Sequence, residues 1–568
     1  MGAYGDARAR TPAMDALAAR GAVFTRAYAT APITLTSHAS MMTGRYPAGH
    51  AARHNGIRVD LAVPTLAEQL ARNGFATGAF VAAFPLDRRF GLIKGFQTYG
   101  DRMPRGTDGR PANERAGKEV VDEALAWLSR RAEGRFFLWV HLFEPHAPYG
   151  DARDGRSAEA RYADEIAEAD RQVARLVSAL GDTAASTLTI VAADHGEAFG
   201  EHGEISHSLF VYDTTLRVPL IVAGPGVLPG TRINQPVALV DIPPTAINLL
   251  GAGAFDSDGV DLSQALLGRE PQARVLYAES FAPLLDFGWS PLKSIRDGDW
   301  KYVDAPKPEL FNVASDSAET TNLAGTERSR AASLQAQVRK YSGGDVSLST
   351  RKDPEAAARL QALGYVGGGA SATEGPLPDP KDKKTLAARI AQVISGELRG
   401  AQLERALRSV HAEDPKNPQA NLRLGYVLLE SKRCRDAVPR FRAAIAAQLP
   451  SADAHLGLAA CRTLQRDFRG AADTLRAAER VEPGNPIVPA NLGIVLSDGG
   501  DPEAAVDPLQ RALTNDPDLH QARFALAIAF ARAGRRADAA KTAQELLRRL
   551  PADAPQRAEV QRLIESVR

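Results

Sequence analysis

Three stretches of the chain collect residues that can do chemistry. "VAADHGEAFGEHGEISH" (191–207) sets Asp194 and His195 directly after an apolar run, with His202 and His207 following among glycines. A carboxylate–imidazole pair with later histidines suits a divalent ion such as zinc or manganese, and further oxygen ligands would suit calcium or magnesium. The same pair also reads as a polar strand end that caps the next helix. "HLFEPHAPYG" (141–150) holds His146 between Pro145 and Ala147-Pro148. A loop stiffened by proline fixes that imidazole at little entropic cost, as a site residue requires. His141, inside the apolar pattern, reads as a core histidine. "APITLTSHASMMTGRYP" (31–47) concentrates Thr34, Thr36, Ser37 and His38 just before a short apolar turn. It is either a proline loop leading into a helix capped by Thr36 or Ser37, or the seat of a hydroxyl nucleophile. In the second reading the helix start turns backbone N–H groups and the positive dipole end toward an anion. A neighbouring metal would then lower the hydroxyl pKa.

These stretches need elements to position them. "FFLWVHLF" (136–143), "TLTIVAA" (187–193) and "VPLIV" (218–222) are continuous apolar runs, the pattern of strands buried on both faces of a parallel sheet. "TPAMDALAARG" (11–21), "TLAEQLARNG" (65–74) and "YADEIAEADRQVARLVSALG" (162–181) have helical spacing and stop at glycine. Strands and helices in alternation predict an α/β layered domain. Asp194 and His195 then fall at the carboxyl edge of a sheet, where α/β folds present ligand sites. Adjacent strand residues point to opposite faces, so both reach one centre only if the chain turns, which Gly196 allows.

Eight of the eleven histidines lie between His38 and His207. Past them, a stretch rich in Gly, Ser, Pro and charge over 343–382 reads as a linker. Beyond it strand signals vanish and a repeat begins. Ala437, Ala471, Ala505 and Ala539 recur every 34 residues, and Pro415, Pro450, Pro483, Pro517 and Pro551 every 33 to 35. Paired amphipathic segments with small residues at fixed positions and a closing proline predict a tetratricopeptide array rather than a generic helical bundle. The domains are thus read as 1–342, a linker 343–382, and a repeat domain 383–568.

A chain of 568 residues exceeds a single core. Lys+Arg 69 against Asp+Glu 68 gives a net charge of +1, which supports no nucleic-acid or anionic-membrane partner. Cys434 and Cys461 make neither a disulfide framework nor zinc spacing. No apolar run approaches the ~18–20 residues of a membrane span, and "MGAYGDARARTP" lacks the apolar core of a secretory signal. Taken alone, the chain reads as cytoplasmic.

Taken together, "RTPAMDALAARGAVFTRAYATAP", "SMMTGRYPAGHAARHNG", "FLWVHLFEPHAPY", "VAADHGEAFGEHGEISH", "LRVPLIVAGPGV" and "ELFNVASDSAETTNLA" resemble, in order, the blocks of the sulfatase branch of the alkaline phosphatase superfamily, over about 1–325. "LGYVGG" before a repeat array resembles sulfatase-like proteins that carry tetratricopeptide repeats. The resemblance implies a mostly parallel α/β sheet flanked by helices, followed by an all-α solenoid. It implies Thr34 as nucleophile and His38 where sulfatases have arginine. Asn55 falls on the contact to the substrate's anionic group, and Asp194 and His195 on a metal pair. His146 and His207 fall on positions that hold the transferred group or protonate the leaving oxygen. The implied cofactor is a divalent ion (Ca, Mg, Mn or Zn), and the implied substrate an anionic ester, free or linked to lipid or glycan. The repeats imply a protein partner or self-association.

Two departures shape the expectation. Sulfatases carry Cys/Ser-x-Pro-x-Arg, whose first residue becomes formylglycine, and here Thr34-Leu35-Thr36-Ser37-His38 differs at all three signature positions. The resemblance therefore moves toward phosphodiesterase-like members in which an unmodified threonine attacks phosphorus. Family members also begin with a buried strand ending in aspartates about ten residues before the counterpart of Met1. The expectation is a missing first strand, with an internal methionine taken as the start and any export signal lost upstream. The alternative is a degenerate, non-catalytic scaffold working through its repeats.

Overall fold

The computed structural model describes residues 1–6, 9–104, 112–131, 134–151, 154–341, 343, 359–360, 376–394, 398–447, 452–550, 554 and 556–567. Most of the segment read as a linker, together with Pro450 and Pro551, lies outside these residues. The chain divides into two compact units. One comprises the described residues of Met1–Arg351 and Leu360–Leu398, the other those of Lys352–Arg359 and Arg399–Arg568.

The first unit is α/β. Its strands are β1 (Ala22–Tyr28), β2 (Ala76–Phe80), β3 (Thr98–Gly100), β4 (Phe136–Val140), β5 (Thr189–Ala192), β6 (Ala198–Phe199), β7 (Ile205–Ser206), β8 (Arg217–Ala223), β9 (Thr231–Ile233), β10 (Val237–Ala238), β11 (Val275–Ser280), β12 (Leu292–Asp297), β13 (Trp300–Asp304) and β14 (Glu309–Asn312). Its helices are α1 (Pro12–Ala19), α2 (Thr34–Thr43), α3 (Pro47–His50), α4 (Leu66–Arg72), α5 (Gly117–Arg130), α6 (Ala158–Ala179), α7 (Asp213–Leu216), α8 (Ile242–Leu249), α9 (Ala282–Phe287), α10 (Arg328–Tyr341) and α11 (Lys384–Ile394). Helix starts follow the capping chemistry in the sequence. Thr65 and Glu68 form a capping box on α4, Ser157 caps α6, and Pro12 takes the first position of α1.

One sheet runs β10-β1-β8-β5, with β9 also on β1, and a second runs β3-β2-β4. β1 is parallel to β9 and β10, and β2 is parallel to β3 and β4. β8, read from its apolar run as a parallel strand, lies antiparallel to β1 and β5. Burial on both faces yields the same residue pattern in either orientation, so the run alone does not fix direction. Among the described residues β4 pairs only with β2, and β5 only with β8. Both strands line a cavity of about 1180 Å³, and their residues are half-buried rather than buried.

A separate antiparallel sheet, β11-β12-β13-β14, holds Arg296 and Lys301 against Asp213 and Glu319. α11, placed by sequence at the head of the repeat domain, packs in the first unit beside β7 and the Glu201–Gly203 turn. Among the described residues no helix is long and apolar enough to cross a membrane.

Among the described residues the elements of the second unit are all helices: α12 (Gly400–Glu413), α13 (Pro418–Glu430), α14 (Cys434–Ala446), α15 (Asp453–Leu464), α16 (Phe468–Val481), α17 (Ile487–Asp498), α18 (Val506–Asn515), α19 (His520–Arg532), α20 (Arg536–Arg549) and α21 (Arg557–Val567). Ala437, Ala471, Ala505 and Ala539, the 34-residue markers, are all 0% exposed. Gly425 and Gly457 both abut the ring of Phe441, where a side chain would not fit. Small residues at these positions let successive helices approach closely, which explains the period.

Candidate active site

The site is built on the amino end of α2. Ile33 is extended (φ −152°, ψ 137°), the chain turns into helix at Thr34, and Gly44 ends it in the left-handed region at φ 66°. All ten residues of α2 are buried. Asn55 Oδ1 accepts the Leu35 N–H at 2.8 Å and so anchors the first turn. Ser37 Oγ donates to the carbonyl of Asp194 at 2.5 Å, which ties α2 to the chain just past β5. Thr34 itself is 2% exposed and stands on the cavity wall with His38, His141, His146, Asp194 and His195.

The imidazoles form a connected cluster. His38 Nδ1 lies 2.8 Å from the Thr34 carbonyl and 3.4 Å from Asp194 Oδ2, and His195 Nε2 is also 3.4 Å from Asp194 Oδ2. The His38 ring meets His141 edge-on with centroids 4.9 Å apart, His195 lies 4.1 Å from His207, and His207 lies 5.4 Å from His146. His146 stacks on Phe143 at 4.0 Å. His207 Nδ1 lies 3.2 Å from Glu197 Oε1, and Tyr149 donates its phenol to Glu197 Oε2 at 2.8 Å.

Burial and mutual repulsion set the charges. Burial, then the charge of His38, takes His141 down to about 3, and burial with His207 takes His146 down to about 4. Burial also lowers His195. His207 goes the other way: burial opposes its charge, but the Glu197 carboxylate raises it above the ordinary range. Burial disfavours ionised Asp194 and Glu197, yet the surrounding imidazoles hold each at about 2. Burial and the Glu197 charge push the Tyr149 phenol well up, so it remains a donor. At neutral pH the site thus contains two carboxylates, neutral imidazoles at His141, His146 and His195, and one histidine, His207, inclined to carry a proton.

The structure brings Thr34, His38, His146, Asp194 and His195 to one cavity, sets His207 against His195 and His146, and bonds Asn55 to the first turn of α2. It separates His202, which stacks on Tyr212 at 3.6 Å instead of joining the cluster. His141 is not a plain core residue: the Ala82 N–H donates to its Nδ1 at 3.3 Å, and its ring reaches the cavity beside His38. Glu197 and Tyr149 were not singled out from sequence. Their signal is a carboxylate two residues after Asp194-His195 and a tyrosine three residues after His146.

A divalent ion does not fit the described residues. They include no group of three or more His, Cys, Asp or Glu placed to hold a metal. Asp194 and His195 supply two ligands, and the Asp194 carboxylate is engaged by the rings of His38 and His195.

The sulfatase family model matches residues 1–252, and a tetratricopeptide repeat model matches residues 422–486 and 491–554. A choline-sulfatase of Rhizobium meliloti is 26% identical over 407 residues, covering 56% of this chain and 78% of that protein. Arylsulfatase K of Xenopus laevis is 24% identical over 399 residues, 55% of this chain and 74% of that one. Among solved structures, Ps i-CgsB superposes with a TM-score of 0.52 at 22% identity, covering 60% of this chain and 90% of that chain. BT4656, solved with its substrate D-glucosamine-2-N,6-O-disulfate, superposes with a TM-score of 0.51 at 18% identity, over 62% and 97%. The two structures share the fold of the first unit, and the two relatives are enzymes that hydrolyse esters. The chain carries a sulfatase-family hydrolase domain over residues 1–252 and tetratricopeptide repeats over residues 422–486 and 491–554.

Proposed function

We propose that the domain hydrolyses an anionic ester of the phosphodiester class, with Thr34 as the nucleophile. The observation that carries this reading is the place of Thr34: at the amino end of a buried ten-residue helix, on the wall of a cavity shared with His38, His146 and His195. In this account the substrate's anionic group sits against the helix start, where the backbone dipole favours negative charge. Thr34 Oγ1 gives its proton to the neutral imidazole of His195 on the same cavity wall and attacks phosphorus in line with the leaving oxygen, and a bond from phosphorus to Oγ1 replaces the bond to the leaving group. His207, held by Glu197, is the residue best supplied with a proton for that oxygen, and His146 beside it steadies the transferred group. Water then cleaves the threonyl ester. A threonine at this position supports phosphorus over sulfur chemistry, because it yields no formylglycine by the route open to Cys or Ser. The repeats serve as a surface for a protein partner or for self-association.

The test compares wild type with Thr34→Ala on aryl phosphodiester, phosphonate and sulfate esters. The reading expects the phosphodiester to be fastest and Thr34→Ala to lose at least ~10³-fold in kcat. Equal rates in the two proteins would remove Thr34 as nucleophile. A second reading, a non-catalytic scaffold acting through its repeats, is favoured by the two-ligand metal set. It expects no hydrolysis of any of the three esters and no divalent ion in the purified protein by elemental mass spectrometry.

A further inference from the structure

We infer that Glu197 is the positioning residue of His207, fixing the proton on Nδ1 and thereby making Nε2 the basic nitrogen of the neutral ring. The inference deepens the proposed function, since it rests on His207 serving the leaving oxygen. Geometry carries it. The Glu197 side chain is 5% exposed and that of His207 4%, and Oε1 lies 3.2 Å from Nδ1. Among the described residues no arginine or lysine pairs with Glu197, so a buried carboxylate is left with an imidazole and a phenol as partners. A carboxylate is held in such a place only if its partners donate to it. Nδ1 must then carry hydrogen. Ser206 Oγ, 3.2 Å from the same nitrogen, serves as a second acceptor of that proton.

The backbone adds an independent sign. Ser206 and Ser208, on either side of His207, hold φ of 91° and 95°, conformations that non-glycine residues rarely adopt. Strained backbone on both flanks of one residue marks a side chain whose direction the fold over-determines. Tyr149 extends the arrangement. Its phenol fixes the second oxygen of Glu197 at 2.8 Å, and Tyr149 sits in the same proline-stiffened loop as His146. One carboxylate thus joins the loop that carries His146 to the loop that carries His207, and holds the two rings in mutual contact.

The test uses the full chain labelled with ¹⁵N-histidine, with the His207 signals assigned by their loss in His207→Gln. Imidazole ¹⁵N spectra recorded above the titration of the ring are expected to show His207 protonated on Nδ1. Glu197→Gln is expected to shift the ring toward the Nε2–H form and to lower kcat at least tenfold, with KM within about twofold. Glu197→Asp, which keeps the charge, is expected to recover part of that loss. An Nε2–H ring in wild type, or a His207 spectrum unchanged in Glu197→Gln, overturns the inference. Should Glu197→Gln fail to fold, Tyr149→Phe is read instead. It keeps the carboxylate and is expected to leave His207 on Nδ1 while shifting the His146 signals, and unmoved His146 signals count against the account. A wild-type protein without hydrolytic activity refutes the proposed function, yet the spectra still decide the role of Glu197.

Discussion

Replacing Glu204 with glutamine should change how the stability of the first unit responds to pH. Glu204 is buried beside His207, accepts the N–H groups of Leu209 and Phe210 at 2.9 and 3.3 Å, and pairs with no cation among the described residues. Burial raises its carboxyl to about 8 from an ordinary 4.5, against the pull of those two amides. An acid raised in the folded state binds its proton more tightly there than in the unfolded chain. Stability is therefore full below pH ~4.5 and falls with rising pH until the folded group itself ionises near 8. At 1.36 kcal/mol per unit, the loss between pH 5 and pH 7 is about 3 kcal/mol. Glutamine keeps the acceptor oxygen and removes the titration. Glu204→Gln should accordingly gain about 3 kcal/mol relative to wild type over that interval, an order-of-magnitude figure. Urea unfolding at pH 5, 6 and 7 followed by tryptophan fluorescence isolates the effect, because all four tryptophans (Trp127, Trp139, Trp289, Trp300) belong to the first unit. Parallel stability curves for the two proteins would refute the reasoning.

Other substitutions probe separate parts of the molecule. Arg53 donates to both oxygens of Glu279 at 2.7 and 2.6 Å in the buried layer next to Phe281, so Glu279→Ala should cost about 3–5 kcal/mol in urea unfolding by removing the carboxylate that pairs with a buried guanidinium. Removing the charge as well, in Arg53→Met/Glu279→Ala, should recover a good part of that loss, and strictly additive effects would argue against the pair. Asn55→Ala takes away the acceptor of the Leu35 N–H at the first turn of α2 and should lower stability by about 1 kcal/mol, measured by the same fluorescence assay. In the repeats, Gly457→Ala would drive a methyl into the ring of Phe441. A cost of about 1–3 kcal/mol is expected, read from the helical circular dichroism signal, with the tryptophan transition of the first unit unmoved.

The repeats and the main elements were legible because their signals are local. Helix caps such as Thr65–Glu68 are written in adjacent residues, and the alanines at 34-residue spacing report a close approach that recurs in each repeat. The direction of β8 was not legible, since an apolar run states burial and not polarity of the chain. The β11–β14 sheet was not legible because its strands lack a clean alternation, with consecutive buried residues in each, and the tight turn at Gly298-Asp299, with Gly298 at φ 58°, is its one local sign. Within the site, Thr34, His146, Asp194 and His195, singled out by residue type, line one cavity. His202 misled because spacing in a glycine-rich loop cannot say which histidine turns inward. His141 and Glu197 were missed because their roles come from partners distant in sequence, Ala82 for one and Tyr149 for the other.

The central claim, that Thr34 attacks the substrate, is most directly tested by trapping. Acid quenching during turnover of an aryl phosphodiester, followed by tryptic digestion and mass spectrometry, isolates the peptide between Arg26 and Arg45. The account predicts a phosphoryl adduct on Thr34 that disappears in Thr34→Ala. An adduct on Thr36 or Ser37, or turnover without any adduct on this peptide, would contradict it.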